Sequence, residues 1–343
     1  MQHFCTYFDS RFLIRALALH RSLQRHAQPF VLHALCLDDD AYRAVAGLNE
    51  PTLAPISLTE LEQSDEELAA TRRSRSLVEY YFTCTPALPW YLLNREPGIE
   101  MITYLDADLY FFNSPAPVFD ELADGSTLII DHRLGPHLRQ FKQYGKYNVG
   151  LLSFRNDFRG RASLGWWRRK CIEWCYERVE PARFADQKYL DDWPRRFTGV
   201  VELAHKGANL APWNLANYEL RFARGNVLID DDPLIFYHFH HLKFIGRYLY
   251  DLGLAQYGAA ANSVVLRRIY APYLRQLRAL ARQYPALQGS NLRLVTPTGT
   301  RQMLRSLIYG RTMFNFGPVA AEVHLEPLAR PLLRLRPSAR RAA

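Results

Sequence analysis

Two acidic residues one position apart, Asp106 and Asp108, follow the apolar run Ile102-Thr103-Tyr104-Leu105 and precede Leu109-Tyr110-Phe111-Phe112. The run reads as a buried strand, and the carboxylates fall where it gives out. Side chains two apart on an extended backbone share a face, so both carboxylates can reach toward one point. Desolvated and adjacent, they repel unless one takes a proton or a cation sits between them. A hard divalent ion, Mn2+ or Mg2+, relieves that repulsion through oxygen ligands and leaves coordination positions for phosphate oxygens. The plainer alternative is a solvated Asp-x-Asp turn after a core strand.

More polar residues collect at the ends of expected strands: Asp131, Asn148, Asp186, Gln187, His238 and Lys243. Three histidines, His238, His240 and His241, fall within four positions. On a strand His238 and His240 share a face and could form a zinc site. Two carboxylates and one imidazole, completed by phosphate oxygens, instead describe a Mn2+ or Mg2+ site for a nucleoside diphosphate. Thr6, Tyr7 and Asp9 close the first strand. There Tyr7 could stack on a nucleotide base and Asp9 accept an imide N–H, or Tyr7 could be core and Asp9 a helix cap.

The elements that must carry these residues follow a strand-helix rhythm. His3 to Phe8 reads as a strand, a helix follows with Leu13, Ala16, Leu17 and Leu23 on one face, and Phe30 to Leu37 is the next strand. Asp38 can cap a short helix. Such alternation predicts parallel strands with ligands at their carboxyl ends. Residues 60–75 read as a charged surface helix. Leu77 to Leu93 is apolar, broken by Pro86 and Pro89. Further strands are expected at 126–131, after the turn at Tyr147-Asn148-Val149-Gly150, and at 200–203, 227–229 and 234–239, with helices over 163–179 and opening at 184–190.

Composition sets outer bounds. The 343 residues are 48% apolar and 22% charged, enough for a full core and unlike a disordered chain. No apolar run reaches the roughly 18 residues a membrane helix needs, and the first residues lack the basic-then-apolar pattern of a signal peptide. Five cysteines without a Cys-x-x-Cys pair read as buried free thiols in a reducing cytoplasm. The net charge of +9 is uneven: residues 264–343 hold 14 Arg against 2 Glu, which leaves −3 for the first 263. The body is therefore not a nucleic-acid surface.

The order Asp-x-Asp, Tyr-Asn-Val-Gly, Asp-Gln and His-Phe-x-x-x-Lys over residues 3–250 resembles the retaining glycosyltransferases of family 8 and their bacterial relatives. The resemblance implies an α/β, GT-A-type Rossmann-like mixed sheet flanked by helices, assigned to 1–262; the Arg-rich composition adds a mostly helical extension at 263–343 that ends in an expected disordered tail. The resemblance also implies a metal-dependent hexosyl transfer with retention from a nucleoside diphosphate sugar, a UDP-sugar, to a saccharide or lipid-linked envelope glycan. Asp106, Asp108 and His238 would hold Mn2+ or Mg2+, Asp106 also meeting the ribose–diphosphate, and Lys243 the diphosphate. Asn148 and Asp131 would touch the donor sugar, and Asp186 and Gln187 would lie beside its anomeric carbon. His241 stands where the family has Gly, and Lys243 comes one residue early without the following Pro-Trp. An Ala-Pro-Trp-Asn segment at 211–214 follows His205-Lys206-Gly207, so His205 is a rival metal ligand.

Three other functions remain open: a non-catalytic sugar-nucleotide-binding protein, an Asp-x-Asp phosphatase, and a zinc hydrolase on His238 and His240. In the tail, Leu266, Ile269, Tyr270, Tyr273, Leu277, Leu280 and Tyr284 recur at helical steps among arginines, and a second basic-apolar stretch spans 303–316. Such helices could lie on an anionic membrane, making the protein peripheral on the inner membrane, or could pack on the catalytic body.

Overall fold

The computed structural model describes residues 1–244 and 249–284, and the backbone of 312–314. In chain order the elements are β1 (Gln2–Phe8), α1 (Leu13–His26), β2 (Phe30–Cys36), α2 (Asp39–Gly47), β3 (Leu53–Ser57), α3 (Leu58–Ser64), α4 (Glu66–Thr71) and α5 (Leu77–Arg95). Next come β4 (Met101–Leu105), β5 (Leu109–Phe111), α6 (Ala116–Leu122), β6 (Thr127–Asp131), β7 (Tyr147–Arg155), α7 (Phe158–Glu173), α8 (Trp193–Arg196) and β8 (Val200–Glu202). Then follow β9 (Leu220–Ala223), β10 (Asn226–Ile229), β11 (Asp232–Pro233), β12 (Phe236–His238), β13 (Lys243–Phe244), β14 (Leu249–Asp251), α9 (Ala271–Gln283) and β15 (Thr312–Phe314).

A seven-stranded sheet in the order β3-β2-β1-β4-β7-β6-β8 forms the centre. The first four in that list run parallel, β7 runs antiparallel to both β4 and β6, and β8 is parallel to β6. Period-2 alternation buries both faces. On β1, Phe4 and Phe8 join the core on one side and Cys5 joins the core on the other. The first core takes in α1 and α9, the second α5 and α7.

Local chemistry explains the helix starts. The Asp38 side chain accepts the Ala41 N–H, and Ser76 with Glu79 forms a reciprocal capping box at the head of α5. Pro86 and Pro89 do not break α5, contrary to the sequence expectation. Each proline costs about 3 kcal/mol in a helix interior. Burial of Tyr80, Cys84, Leu88, Leu92 and Leu93, at about 1.5–3 kcal/mol for a large apolar side chain, offsets that cost. The expected helix at 163–179 instead starts at Phe158, capped by Asp157, and stops at Glu173, with Trp174 extended. The surface helix expected over 60–75 divides at Asp65, whose side chain caps α4. All five cysteines are buried and free.

A π-helical turn at Val265–Tyr270 runs into α9. Its apolar positions and those of α9, among them Leu266, Ile269, Tyr273, Leu277 and Leu280, are buried in the core that holds α1. Tyr273 stacks on Phe239 at 3.7 Å, and the hydroxyls of Tyr270 and Tyr237 lie 2.9 Å apart. The face that the sequence offered to a membrane is thus occupied by the protein itself. The stretch 303–316 lies outside the described residues apart from the backbone of 312–314. No described helix is long and apolar enough to cross a membrane.

Acid sensitivity follows from α1. His20 is buried, sits 2.8 Å from the Thr52 hydroxyl, and is pushed down to about 4 by burial. Its folded value lies below the unfolded one near 6.5, so its contribution is complete above that pH and is lost as pH falls toward 4. The loss reaches on the order of 2 kcal/mol by pH 5. His20→Gln should therefore show a flatter fall of melting temperature between pH 7 and 5 than the wild type. Equal slopes would exclude His20 as a source of the acid sensitivity.

Candidate active site

β4 ends at Leu105, and the Asp106 N–H bonds the Gly150 carbonyl of β7 at 2.9 Å. The chain then turns through Asp106, Ala107 and Asp108 into β5. The carboxylates therefore share a direction because of a turn, not because of strand alternation. β5 pairs antiparallel with β12, placing His238 opposite Leu109, and the Phe239 N–H bonds the Asp108 carbonyl at 3.0 Å. His238 Nε2 comes to lie 3.1 Å from Asp108 Oδ1 and 3.6 Å from Asp106 Oδ2. His240 joins them: one donor atom each from Asp108, His238 and His240 lie within 4.8 Å of one another. The Tyr104 hydroxyl donates to Asp106 Oδ1 at 2.8 Å.

Burial acts differently on the three ionisable groups. Burial raises Asp106, and the neighbouring Asp108 charge adds to that against the pull of His238. Asp108 is also penalised by burial, yet His238 holds it well below the usual carboxylate range. Burial would lower His238, but Asp108 and then Asp106 raise it. His240, without such close carboxylate support, is pushed down to about 3 by burial and by His238. The cluster is an acid pair sharing one imidazole, with a second, neutral imidazole beside it.

A cavity of about 610 Å³ opens over this cluster. Its polar wall holds Asp106, Asn148, Asp186, Gln187, His238 and His240. Aromatic wall comes from Tyr7, Phe184, Trp213 and Tyr257. Asn148 accepts the Gly150 N–H through Oδ1, and its amide nitrogen faces His132 Nε2 at 3.4 Å. The other His132 nitrogen, Nδ1, donates to the Lys146 carbonyl at 2.9 Å, which leaves Nε2 to accept from Asn148. Asp186 is pushed up to about 7, first by burial, with the Thr85 hydroxyl opposing and Asp106 reinforcing. Ala185, just before it, has φ 45°, a left-handed backbone that turns Asp186 into the wall. Gln187 donates its side-chain amide to the Tyr144 carbonyl at 3.0 Å.

Other residues singled out in the sequence lie elsewhere. Thr6 is fully buried and outside the cavity wall, whereas Tyr7 is in it. Asp9 is neither in the wall nor capping α1; its carboxylate holds the Arg11 guanidinium and accepts the Arg11 N–H at 3.0 Å. Asp131 accepts the Arg133 N–H at 2.6 Å and lies 3.8 Å from Lys146 Nζ, outside the wall. Lys243 is exposed on β13, beyond a turn at His241 with φ 59°. His205 is also outside the wall, its Nδ1 accepting the Gly207 N–H at 3.1 Å.

Sequence reasoning missed His132 and Tyr257 and gave Trp213 no place in the wall. Trp213 meets both His238 and His240 edge-on, at 5.1 and 5.3 Å. The signal for it was the Ala-Pro-Trp-Asn segment. Asn214 anchors that segment by donating to the His132 carbonyl at 3.0 Å. No local pattern marks His132, which only the pairing of β6 with β7 brings beside Asn148.

Gly150 shows how closely the cluster is packed. A Cβ there would stand 2.6 Å from Asn148 Oδ1 and 2.9 Å from His238 Nδ1. Gly150→Ala should displace both side chains, and any Mn2+ that the cluster holds would bind at least about tenfold more weakly, since metal ligation depends this strongly on the shell around the ligands. Isothermal titration with Mn2+ checks this, and unchanged affinity would show that the two side chains shift freely.

No family model matches the sequence. The chain is 30% identical over 279 residues to the uncharacterized protein YfnD of Bacillus subtilis, spanning 80% of this chain and 88% of that one. It is 31% identical over 250 residues to the uncharacterized protein YfnF of the same organism, spanning 71% and 82%. Among solved structures, the galactosyltransferase LgtC in complex with donor and acceptor sugar analogs aligns with 83% of this chain and 100% of its own. The TM-score is 0.51 at 15% identity. The mixed sheet flanked by helices is thus a GT-A-type glycosyltransferase fold.

Proposed function

The chain belongs to one family with YfnD and YfnF, and from the geometry of its cavity we propose that it is a metal-dependent glycosyltransferase. It would move a hexose from a nucleoside diphosphate sugar, a UDP-sugar, to a saccharide acceptor, with retention. The observation that carries this reading is the meeting of Asp106, Asp108 and His238, of which Asp106 and His238 line a cavity shared with Asn148, Asp186 and Gln187, while Asp108 stands behind them against His238.

The donor set fits a divalent ion. Two carboxylates converge on one imidazole, His238 Nε2 lying 3.1 Å from Asp108 and 3.6 Å from Asp106, so two acidic groups are brought together against a single imidazole. Asp106, Asp108 and His238 would hold Mn2+ or Mg2+, with His240 within reach. Such an ion neutralises the diphosphate charge that develops as the glycosidic bond breaks.

The rest is done by the chain itself. His132 keeps the Asn148 amide turned so that its remaining N–H can meet a donor hydroxyl. Asp186 is poised near neutrality to exchange a proton at its carboxyl or to accept a sugar hydroxyl. Tyr7, Trp213 and Tyr257 offer apolar faces against which sugar or base rings can lie while water is excluded. LgtC was solved with donor and acceptor analogs, which supports seeking both ligands in this one cavity. Cytoplasmic work on envelope glycans fits the same chemistry.

Release of nucleoside diphosphate from a panel of sugar nucleotides, with and without Mn2+, tests the activity. A donor at about 100 times its Kd adds about 2.7 kcal/mol of apparent stability, which makes melting temperature a parallel readout. Among the histidines, His238→Ala should weaken Mn2+ binding at least about tenfold, whereas His205→Ala should leave it unchanged. The reverse pattern would move the ligand to His205.

A further inference from the structure

A second set of donor side chains meets at the opposite edge of the sheet. On the parallel pair β1 and β2, Cys5 stands opposite His33, and His3 lies two residues before Cys5. Both imidazoles therefore point to the face covered by α5. His3 Nδ1 and His33 Nε2 are 3.1 Å apart, with their rings stacked at 5.5 Å. α5 ends at this point, and its C-terminal cap Glu96 brings a carboxylate oxygen to 4.0 Å from His33 Nδ1. One donor atom from each of the three lies within 4.8 Å of the others. Tyr7 lies four steps beyond His3 on the extended strand, so this trio is roughly 13 Å from the cavity along β1.

We infer that His3, His33 and Glu96 form a binding site for a zinc-like divalent ion that fastens the first two strands to the end of α5. Two ligands held at zinc distances in tetrahedral geometry stand about 3.3 Å apart, close to the separation of the two ring nitrogens. Two imidazoles and one carboxylate suit zinc, and three protein ligands leave a fourth position for water. His33 is 4% exposed and holds its place, while His3 and Glu96 are only partly covered, which gives an ion a way in. Glu96 approaches His33 on the Nδ1 side while His3 faces Nε2, so its side chain, 41% exposed, must swing toward the His3–His33 Nε2 side to complete the shell, and that exposure gives it the freedom to do so. The negative end of the α5 dipole also faces the site and favours a cation. The competing account is a His–His hydrogen bond with an incidental glutamate.

Equilibrium dialysis of the full-length protein against Zn2+ separates the two. The active-site cluster can also take zinc, so the comparison is made in the His238→Ala protein. That protein should keep one zinc equivalent and melt at a higher temperature with zinc than without. Adding His3→Ala, or separately Glu96→Gln, should weaken that equivalent at least about tenfold and remove the zinc-dependent rise. Glu96→Gln changes an exposed position and decides the matter should His3→Ala impair folding. Zinc content and melting rise that are the same in all these proteins would overturn the site, as would the absence of any zinc equivalent in His238→Ala.

Discussion

In the Asp108→Asn protein, metal-dependent release of nucleoside diphosphate should fall by about 10²–10³-fold or more, the range seen when one preorganised charge-stabilising group is lost. Asp108 is the carboxylate that remains ionised despite burial, because His238 Nε2 stands 3.1 Å away. Asparagine keeps the shape but gives a divalent ion a neutral oxygen in place of an anionic one. The Mn2+-dependent rise in melting temperature should vanish together with turnover. The far-UV circular dichroism should stay as it is, since Asp108 lies in a turn and belongs to neither hydrophobic core. Undiminished turnover in this protein would sink the glycosyltransferase reading.

Asp186→Asn should separate stability from activity. The Asp186 carboxyl sits at about 7 in the folded protein, raised mainly by burial, against about 4 in an unfolded chain. The folded state therefore binds the extra proton, and stability falls as pH rises from about 4 to 7, by on the order of 3–4 kcal/mol in all. Asparagine has no charge to bury. At pH 8 the variant should melt higher than the wild type, the gap closing as the pH is lowered toward 4. Turnover should nonetheless drop by about 10²-fold or more, the usual share of a group that handles a proton or a forming charge. A variant that melts lower at pH 8 would mean that the ionised carboxylate is a favourable structural partner here, contrary to the burial argument.

What could be read from the sequence tracks how local the causes are. The first strands and helices announced themselves because apolar alternation and Asp38 capping act within a few residues. β10 could be read at 227–229, but β3, β9 and β11 went unnoticed. β3 becomes a strand by pairing with β2 some twenty residues earlier, whereas β9 and β11 are short arms of local hairpins around β10, too brief for an alternation to show. α5 was misjudged because proline penalties are visible locally whereas the packing that overrides them is not. In the site, Asp106, Asp108 and His238 could be named from type and order, and the structure puts both carboxylates within 3.6 Å of His238 Nε2. Asp9, Asp131 and Lys243 had the right type at the right strand ends. Their directions were decided by Arg11, by Arg133 with Lys146, and by the backbone turn at His241, and no spacing rule encodes those directions.

The stacking of Tyr273 on Phe239 has a consequence for how the molecule opens. Phe239 is the residue between His238 and His240 in the chain, and its N–H is bonded to the Asp108 carbonyl. Detaching α9 would strip the apolar support from the very backbone that aligns His238 with both carboxylates. Amide hydrogen exchange should accordingly find Phe239 and the buried turns of α9 opening together with one free energy, as a single cooperative unit. Any ligand that tightens the Asp106, Asp108 and His238 cluster would then slow exchange in α9, a helix outside the cavity wall.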